Sequence, residues 1–262
     1  MCRRAATPLC GKQVPLTVKK DLWLALNHLP WQGADSTPAK HFEVTHLTRF
    51  FNREHMLAQA FFPWFERVST ARDVGGFWSN GATRCGYVFL SQAYGKVYVL
   101  RGKLPSTPHT WDGEPAPMHQ DADMRYWSLC STMSPPSGMT VDCVYDETVL
   151  PTLDAKGFFN IVISRAPDRP VNATEKCGVV WMEYGTGDGI PGGSPNHATI
   201  INRHTQVNAN FKHSWFNVEK PKSEAAVMGE YLPNVINMHK KERFETLGCP
   251  VETGKLAAMT AK

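Results

Sequence analysis

The sequence predicts a mainly β protein, an antiparallel, jelly-roll-like β-sandwich flanked by helices at both ends. Three observations carry this. Seven short strand-like runs follow one another between residues 86 and 204. The loops between them are rich in Gly, Pro, Asn and Asp and show no helical spacing. A closely spaced strand–turn–strand occupies residues 124–146. Short strands at short intervals argue for antiparallel pairing, and parallel βαβ units are disfavoured because no crossover segments are present. The expected organisation is a flexible leader at 1–16, a helical segment at 17–74 packing on the sheet, a sandwich core at 75–219, and a helical segment and tail at 220–262.

The central stretch reads MRYWSLCSTMSPPSGMTVDCVYD. Tyr126, Trp127, Leu129, Val141, Val144 and Tyr145 favour strands. Pro135, Pro136 and Gly138 forbid a continuous helix or central strand between them. Side chains alternate along a strand, so Arg125, Trp127 and Leu129 are expected on one face and Tyr126, Ser128 and Cys130 on the other. If the strands pair, Cys130 and Cys143 can close a short loop with a disulfide worth roughly 3 kcal/mol in the chain-entropy model. The alternative is two free, buried thiols.

Taken in order, residues 18–29 offer a short apolar helix through Leu22, Trp23, Leu26 and Leu29. Helical spacing resumes over 40–68, with Pro63 as a kink or stop. The aromatic stripe through Phe50, Phe51, Phe61, Phe62, Trp64 and Phe65 is expected to pack on the sheet. His41, His46 and His55 lack the HExxH spacing of a zinc helix, and no metal site is expected. The runs 86–92 and 96–103, joined at Tyr94-Gly95, read as a hairpin. A long Pro-rich loop leads to residue 123, and loops of that length are often functional. Strands follow at 158–164, 178–185 and 197–204. Ser223 is a candidate helix N-cap, and Pro233 breaks the helical pattern after it.

The 262 residues suit one large domain, and a net charge of +4 with interleaved signs gives no basic stripe for nucleic acid. No run approaches the ~20 apolar residues of a membrane span. The chain holds seven cysteines, an odd number, so at least one is expected outside a bridge. MCRRAATPLC, with Cys2 and Cys10, is followed by no apolar signal core. Two locations therefore stand: secreted, through a signal not visible in this sequence, or cytoplasmic. Asn172-Ala173-Thr174 matches a glycosylation acceptor.

Three arginines, Arg101, Arg125 and Arg203, fall inside expected strands. A buried guanidinium needs a partner, and Asp123, Asp142 and Glu183 are the candidates. Alternatively the arginines, with Trp127 and Trp181, line a pocket for an anionic or aromatic small molecule, since guanidinium forks match carboxylates and phosphates. For acid–base work the candidates are His119, Asp121 and Asp123 in the irregular loop and Asp142 on the next strand. Ser128 and Ser164 lack a G-x-S-x-G elbow, and Cys85 and Cys177 lack a C-x-x-C partner. GTGDGIPGG is not placed as a G-x-G-x-x-G phosphate loop, so no cofactor is expected.

The runs VYVLRGKLPSTPHT, MRYWSLC, VDCVYDETV, DAKGFFNIVIS, RAPDRPVNA, VVWMEYG and MGEYLP resemble a family of uncharacterised secreted bacterial and fungal proteins, over about residues 75–235. R-Y-W-S-L-C followed by a second strand cysteine is the most specific mark. The resemblance implies an exported β-sandwich with Cys130 and Cys143 bridged, and it implies no reaction. Three functions are therefore expected to compete. The first is a small-molecule binding module. The second is a cofactor-free hydrolase, lyase or cyclase using His or Asp with arginine charge stabilisation. The third is a secreted scaffold with the N-terminal aromatic helix as its interface.

Overall fold

The structure is a computed structural model and describes residues 63–68, 82–110, 121–133, 138–187, 195–219 and 222–260. The leader, the expected helix at 18–29, nearly all of the 40–68 segment, Cys2, Cys10 and His119 lie outside the described residues.

The strands in chain order are β1 Glu66–Val68, β2 Thr83–Ser91, β3 Val97–Lys103, β4 Met124–Met133, β5 Thr140–Tyr145, β6 Phe158–Ser164, β7 Val180–Glu183, β8 His197–Val207 and β9 Asn234–Met238. They form a five-stranded sheet, β1-β2-β8-β4-β5, and a four-stranded sheet, β7-β6-β3-β9. Each of the seven expected runs is a strand.

Alternation sorts the side chains into layers. Val88, Leu90, Trp127, Leu129 and Ile200 of the first sheet meet Tyr98, Leu100, Phe159, Ile161 and Ile163 of the second. This is the sandwich core. The other face of the second sheet carries Val97, Val99, Val162, Ile236 and Met238. These are covered by Phe244, Leu247, Val251 and Leu256 from the C-terminal segment and by Ala173 and Val179. The molecule therefore has a third layer, and the second sheet is buried on both sides.

Four expectations are corrected. The runs joined at Tyr94-Gly95 do not form a hairpin: β2 and β3 belong to different sheets. The turn closes with Tyr94 N donating to Ser91 O at 3.0 Å. Tyr98 then folds back, its hydroxyl donating to the same Ser91 carbonyl at 2.6 Å. Both strands are buried on two faces, so each needs neighbours a simple hairpin cannot supply. Second, β6 and β7 pair in parallel. Their connection carries two single-turn 3-10 segments, Ala166–Asp168 and Glu175–Cys177, rather than a crossover helix. Third, the C-terminal region is not simply helical. A short helix α2 (Glu224–Met228), preceded in the chain by α1 (Asp146–Val149), gives way after Pro233 to strand β9. Helices α3 (Lys241–Glu245) and α4 (Thr253–Thr260) follow. Fourth, Glu66–Val68 is a strand paired with β2 rather than the end of a helix.

Two disulfides hold this arrangement. Cys130 and Cys143 face each other in the β4–β5 register and are bonded. Cys177, which has no C-x-x-C neighbour, is bonded to Cys249, 72 residues away. It fastens the third layer to the loop before β7. Cys85 is the free cysteine among the described residues. No helix among those residues is long and apolar enough to cross a membrane.

The first sheet buries a polar link. Asn202 Nδ2 donates to Ser128 O at 3.0 Å, and Trp215 Nε1 donates to Asn202 Oδ1 at 2.7 Å. The indole lies so close to β2 that a Cβ at Gly86 would come within 2.1 Å of it, so only glycine fits there. His204 packs beside the same indole, 6.0 Å between ring centroids, and neither ring nitrogen has a hydrogen-bond partner among the described residues. Burial holds its imidazole down to about 3.

Two outcomes follow from these features. Replacing Cys177 and Cys249 by serine is expected to lower unfolding free energy by about 4 kcal/mol, against about 3 kcal/mol for the Cys130–Cys143 pair, because the longer loop loses more entropy when bridged. Urea titration of the two double variants checks the order. For His204, the unfolded imidazole binds a proton below its ordinary 6.5 while the folded one does not until about 3. Stability is therefore lost as pH falls through that window, by up to about 1.4 kcal/mol per pH unit from this group. His204→Phe should show a shallower acid loss than the wild type when both are unfolded by urea at pH 7, 6, 5 and 4.

Candidate functional site: a cleft at the end of the β4–β8 pair

Strands β4 and β8 are antiparallel, and Met124 opposite Val207 is their last pair. Beyond it the ladder stops. The chain entering β4 (121–123) and the chain leaving β8 (208–213) diverge side by side. Their main-chain groups bond locally instead. Asn208 N donates to Asp123 O at 2.8 Å, and Asn208 Nδ2 donates to Ala122 O at 3.2 Å. Asn210 N donates to Asn208 Oδ1 at 3.0 Å. Ser106 N donates to Asp123 Oδ2 at 2.8 Å, which pins that carboxylate to the strand-exit loop of β3. Asp121 takes a left-handed backbone, φ 62°, which turns the chain into β4.

These segments enclose an open cleft of about 590 Å³ lined by Asp121, Ala122, Asp123, Asn208, Asn210, Phe211, Lys212 and His213. That volume suits a small molecule. Its apolar support is an aromatic group. Phe211 is buried and meets Tyr231 edge-on, with centroids 5.0 Å apart. Tyr231 stacks on His213 at 5.4 Å and 18°. Lys103 Nζ lies 5.6 Å from the Tyr231 ring centre and 3.4 Å from Glu230. Burial pushes the Tyr231 hydroxyl up, Lys103 opposes this, and Asp123 and Glu230 add to it. His213 Nδ1 is 2.8 Å from Val227 O. A carbonyl only accepts, so Nδ1 carries the hydrogen. In the neutral ring Nε2 is then the acceptor.

Of the residues expected at a site, Asp123 is in this cleft and its neighbour Asp121 joins it. Asp142 is elsewhere. It accepts from Cys143 N at 2.8 Å and from Glu183 N at 2.9 Å, linking the edge of one sheet to the edge of the other. The arginine cradle is not assembled. Arg101 is buried on β3, in the second sheet, where it binds Asp154 at 2.6 Å and Asn160 at 2.8 Å. Arg203 lies on β8 in the first sheet, its Nη1 2.8 Å from Cys130 Sγ. Arg125 is half-buried beside Gln206, whose φ is 48°. Met124 and Trp127 both reach the core, so strict alternation fails across Arg125 and Tyr126. Trp127 is fully buried against Phe159, with centroids 5.1 Å apart, and is closed to any ligand. Trp181 packs against the outer cluster of the second sheet, with Arg169 4.6 Å over its ring and Nε1 donating to Ser164 Oγ at 3.0 Å.

Asn172 is corrected as a glycan acceptor. The residue is buried, and its Nδ2, the atom a glycan would occupy, donates to Gly248 O at 2.9 Å and Phe244 O at 3.3 Å. It is a tie to the third layer. No cluster of metal-ligating side chains occurs among the described residues.

A smaller cleft, about 360 Å³, is lined by Thr110, Tyr126, Tyr145, Asp146 and Glu147. Asp146 is buried there. Burial pushes its carboxyl up, against hydrogen bonds from Glu147 N, the Thr107 side chain and Trp127 N.

Lys212, His213, Asn208, Asn210, Phe211 and Tyr231 were not singled out from the sequence. The available signal was the run NANFKH directly after a strand, polar groups around one aromatic residue.

No protein-family model matches the chain, and no curated protein matches it. Among solved structures, that of an uncharacterised Burkholderia cenocepacia protein is similar at 12% identity and a TM-score of 0.37. The match covers 74% of this chain and 44% of that one, so the chain spans less than half of its length.

The Arg101–Asp154 pair yields one expected outcome. Burial alone would raise the Asp154 carboxyl, but the Arg101 hydrogen bond and the amides of Phe158 and Lys156 hold it below its usual value. Arg101→Met should destabilise the fold by about 2 kcal/mol, the scale for losing charged hydrogen bonds. It should also move the Asp154 titration upward, which carboxyl carbon NMR across pH 2–6 would read.

Proposed function

We propose that this chain is an exported β-sandwich protein that binds a small molecule in the cleft beside β4 and β8. The observation that carries this reading is the cleft itself. Ionisable and amide side chains of both polarities converge on an aromatic support, and Asn208 locks the two segments that present them. Binding residues placed on loops at the end of a rigid sheet are the common arrangement. An anionic or aromatic ligand finds Lys212 and the Phe211–Tyr231 pair there, in place of the expected arginines. Export is supported by the two disulfides, which persist in oxidising compartments.

A cofactor-free enzyme is the second reading. It is favoured by His213, whose Nδ1 bond to Val227 O fixes the tautomer that leaves Nε2 able to take a proton. Asp123, held by Ser106 N, is the other acid–base group in the cleft.

A thermal-shift screen of the non-reduced protein against carboxylates, phosphates, sugars, aromatic acids and free amino acids tests the binding reading. A ligand at about 100 times its Kd adds about 2.7 kcal/mol, a melting shift of roughly 5 °C or more. The shift is expected to fall away in Lys212→Met/His213→Gln and to persist in Arg125→Met. Loss only in Arg125→Met would return the site to an arginine cradle, and no shift with any compound would refute the binding reading.

A further inference from the structure

We propose that the cleft beside β4 and β8 recognises a free α-amino acid, or a similar zwitterion, with an aromatic or other apolar side chain; this rests on reading that cleft as a ligand site. The ionisable groups are segregated by chain segment. The chain entering β4 supplies two carboxylates, Asp121 and Asp123, and the chain leaving β8 supplies Lys212 and His213. The two segments cannot drift apart, because Asn208 bonds through both its main-chain and side-chain nitrogens to residues 122–123. The unlike charges therefore sit in one cleft at a held separation.

The groups also have capacity left for a ligand. Asp123 receives Ser106 N on Oδ2, and among the described residues no donor takes its Oδ1. Lys212 donates to the adjacent Ala209 carbonyl and has two further N–H groups. His213 spends Nδ1 on Val227 O, so Nε2 is the ring atom left for a ligand. Phe211 and Tyr231, packed edge-on, support an apolar side chain.

Charge complementarity then selects among ligand classes. A simple anion reaching Lys212 meets two carboxylates in the same cleft. A simple cation reaching the aspartates meets Lys212. A neutral polyol pairs with neither charge. A zwitterion places its ammonium at Asp121 and Asp123 and its carboxylate at Lys212, so each charge meets an opposite one. A ligand lacking one charge leaves a partner uncompensated, which is where discrimination comes from.

Isothermal titration of the full, disulfide-intact chain with L-phenylalanine, N-acetyl-L-phenylalanine, L-phenylalaninamide and glucose tests this. L-phenylalanine is expected to bind at least tenfold tighter than either singly charged derivative, with no detectable heat from glucose. Asp121→Asn/Asp123→Asn, which keeps side-chain shape, should abolish the preference over the N-acetyl compound. Lys212→Met should abolish the preference over the amide. Melting curves establish that each variant is folded, and the wild-type preference stands as a test without them. Equal or tighter binding of the acetyl compound, the amide or glucose would overturn the zwitterion assignment and leave the cleft as a ligand site. A wild-type preference unchanged in both folded variants would overturn the assignment to these residues. No binding by any of the four, with a blank thermal-shift screen, would overturn the zwitterion proposal and the cleft reading together.

Discussion

The fold depends on the insertion of β8 between β2 and β4. It is the last strand of its sheet in the chain and the central one in space. Its two neighbours begin more than 70 residues upstream, so the five-stranded sheet closes only after the whole β2–β7 region has been made. Every backbone group of a central strand must be paired, because unpaired buried amides are costly. β8 meets this with antiparallel ladders on both sides. Its inward residues then do two kinds of work. Ala198 and Ile200 fill the core, and the fully buried Asn202 ties β4 to Trp215.

Because β8 is central, what happens at its end is shared by the whole molecule. The ladder with β4 runs out at Met124 and Val207, and the next residues turn outward with their polar groups paired locally. There Lys103 of the second sheet approaches Tyr231, Tyr231 stacks on His213, and His213 bonds to Val227 O in α2. His213 in the cleft is thus backed by the C-terminal segment, which meets the second sheet through Lys103. The opposite face of the second sheet has its own cover, fastened by Cys177–Cys249 and by Asn172. A sheet buried on both faces explains why β3 and β6 are apolar almost without alternation.

The arginines show where residue-level reading reached its limit. A guanidinium in an apolar strand does demand a partner, and Arg101 has one. The partner is Asp154, from the turn before β6, since β3 pairs with β6 rather than with β2. Asp142 likewise is an acceptor for Glu183 N because β5 and β7 meet at the open edges of two sheets. Trp127, whose residue type suits a binding surface, lies instead on the inward face of β4 at the centre of the sandwich. In each case the residue type was read correctly and its neighbour came from another part of the chain.

By itself the sequence determined that the protein is mainly β, where its seven core strands run, and that Cys130 can meet Cys143. These follow from local propensity, turn residues and a two-residue period, all of which act over a few positions. Only the tertiary structure decided which strands pair and that β6 and β7 run in parallel. It alone joined Cys177 to Cys249, and it alone gathered Asp123, Lys212 and His213 around one cleft, with Tyr231 stacked on His213. The reason is physical. Pairing partners and cleft walls are chosen by burying faces against distant segments and by satisfying every buried polar group, and no local pattern encodes which distant segment will do so.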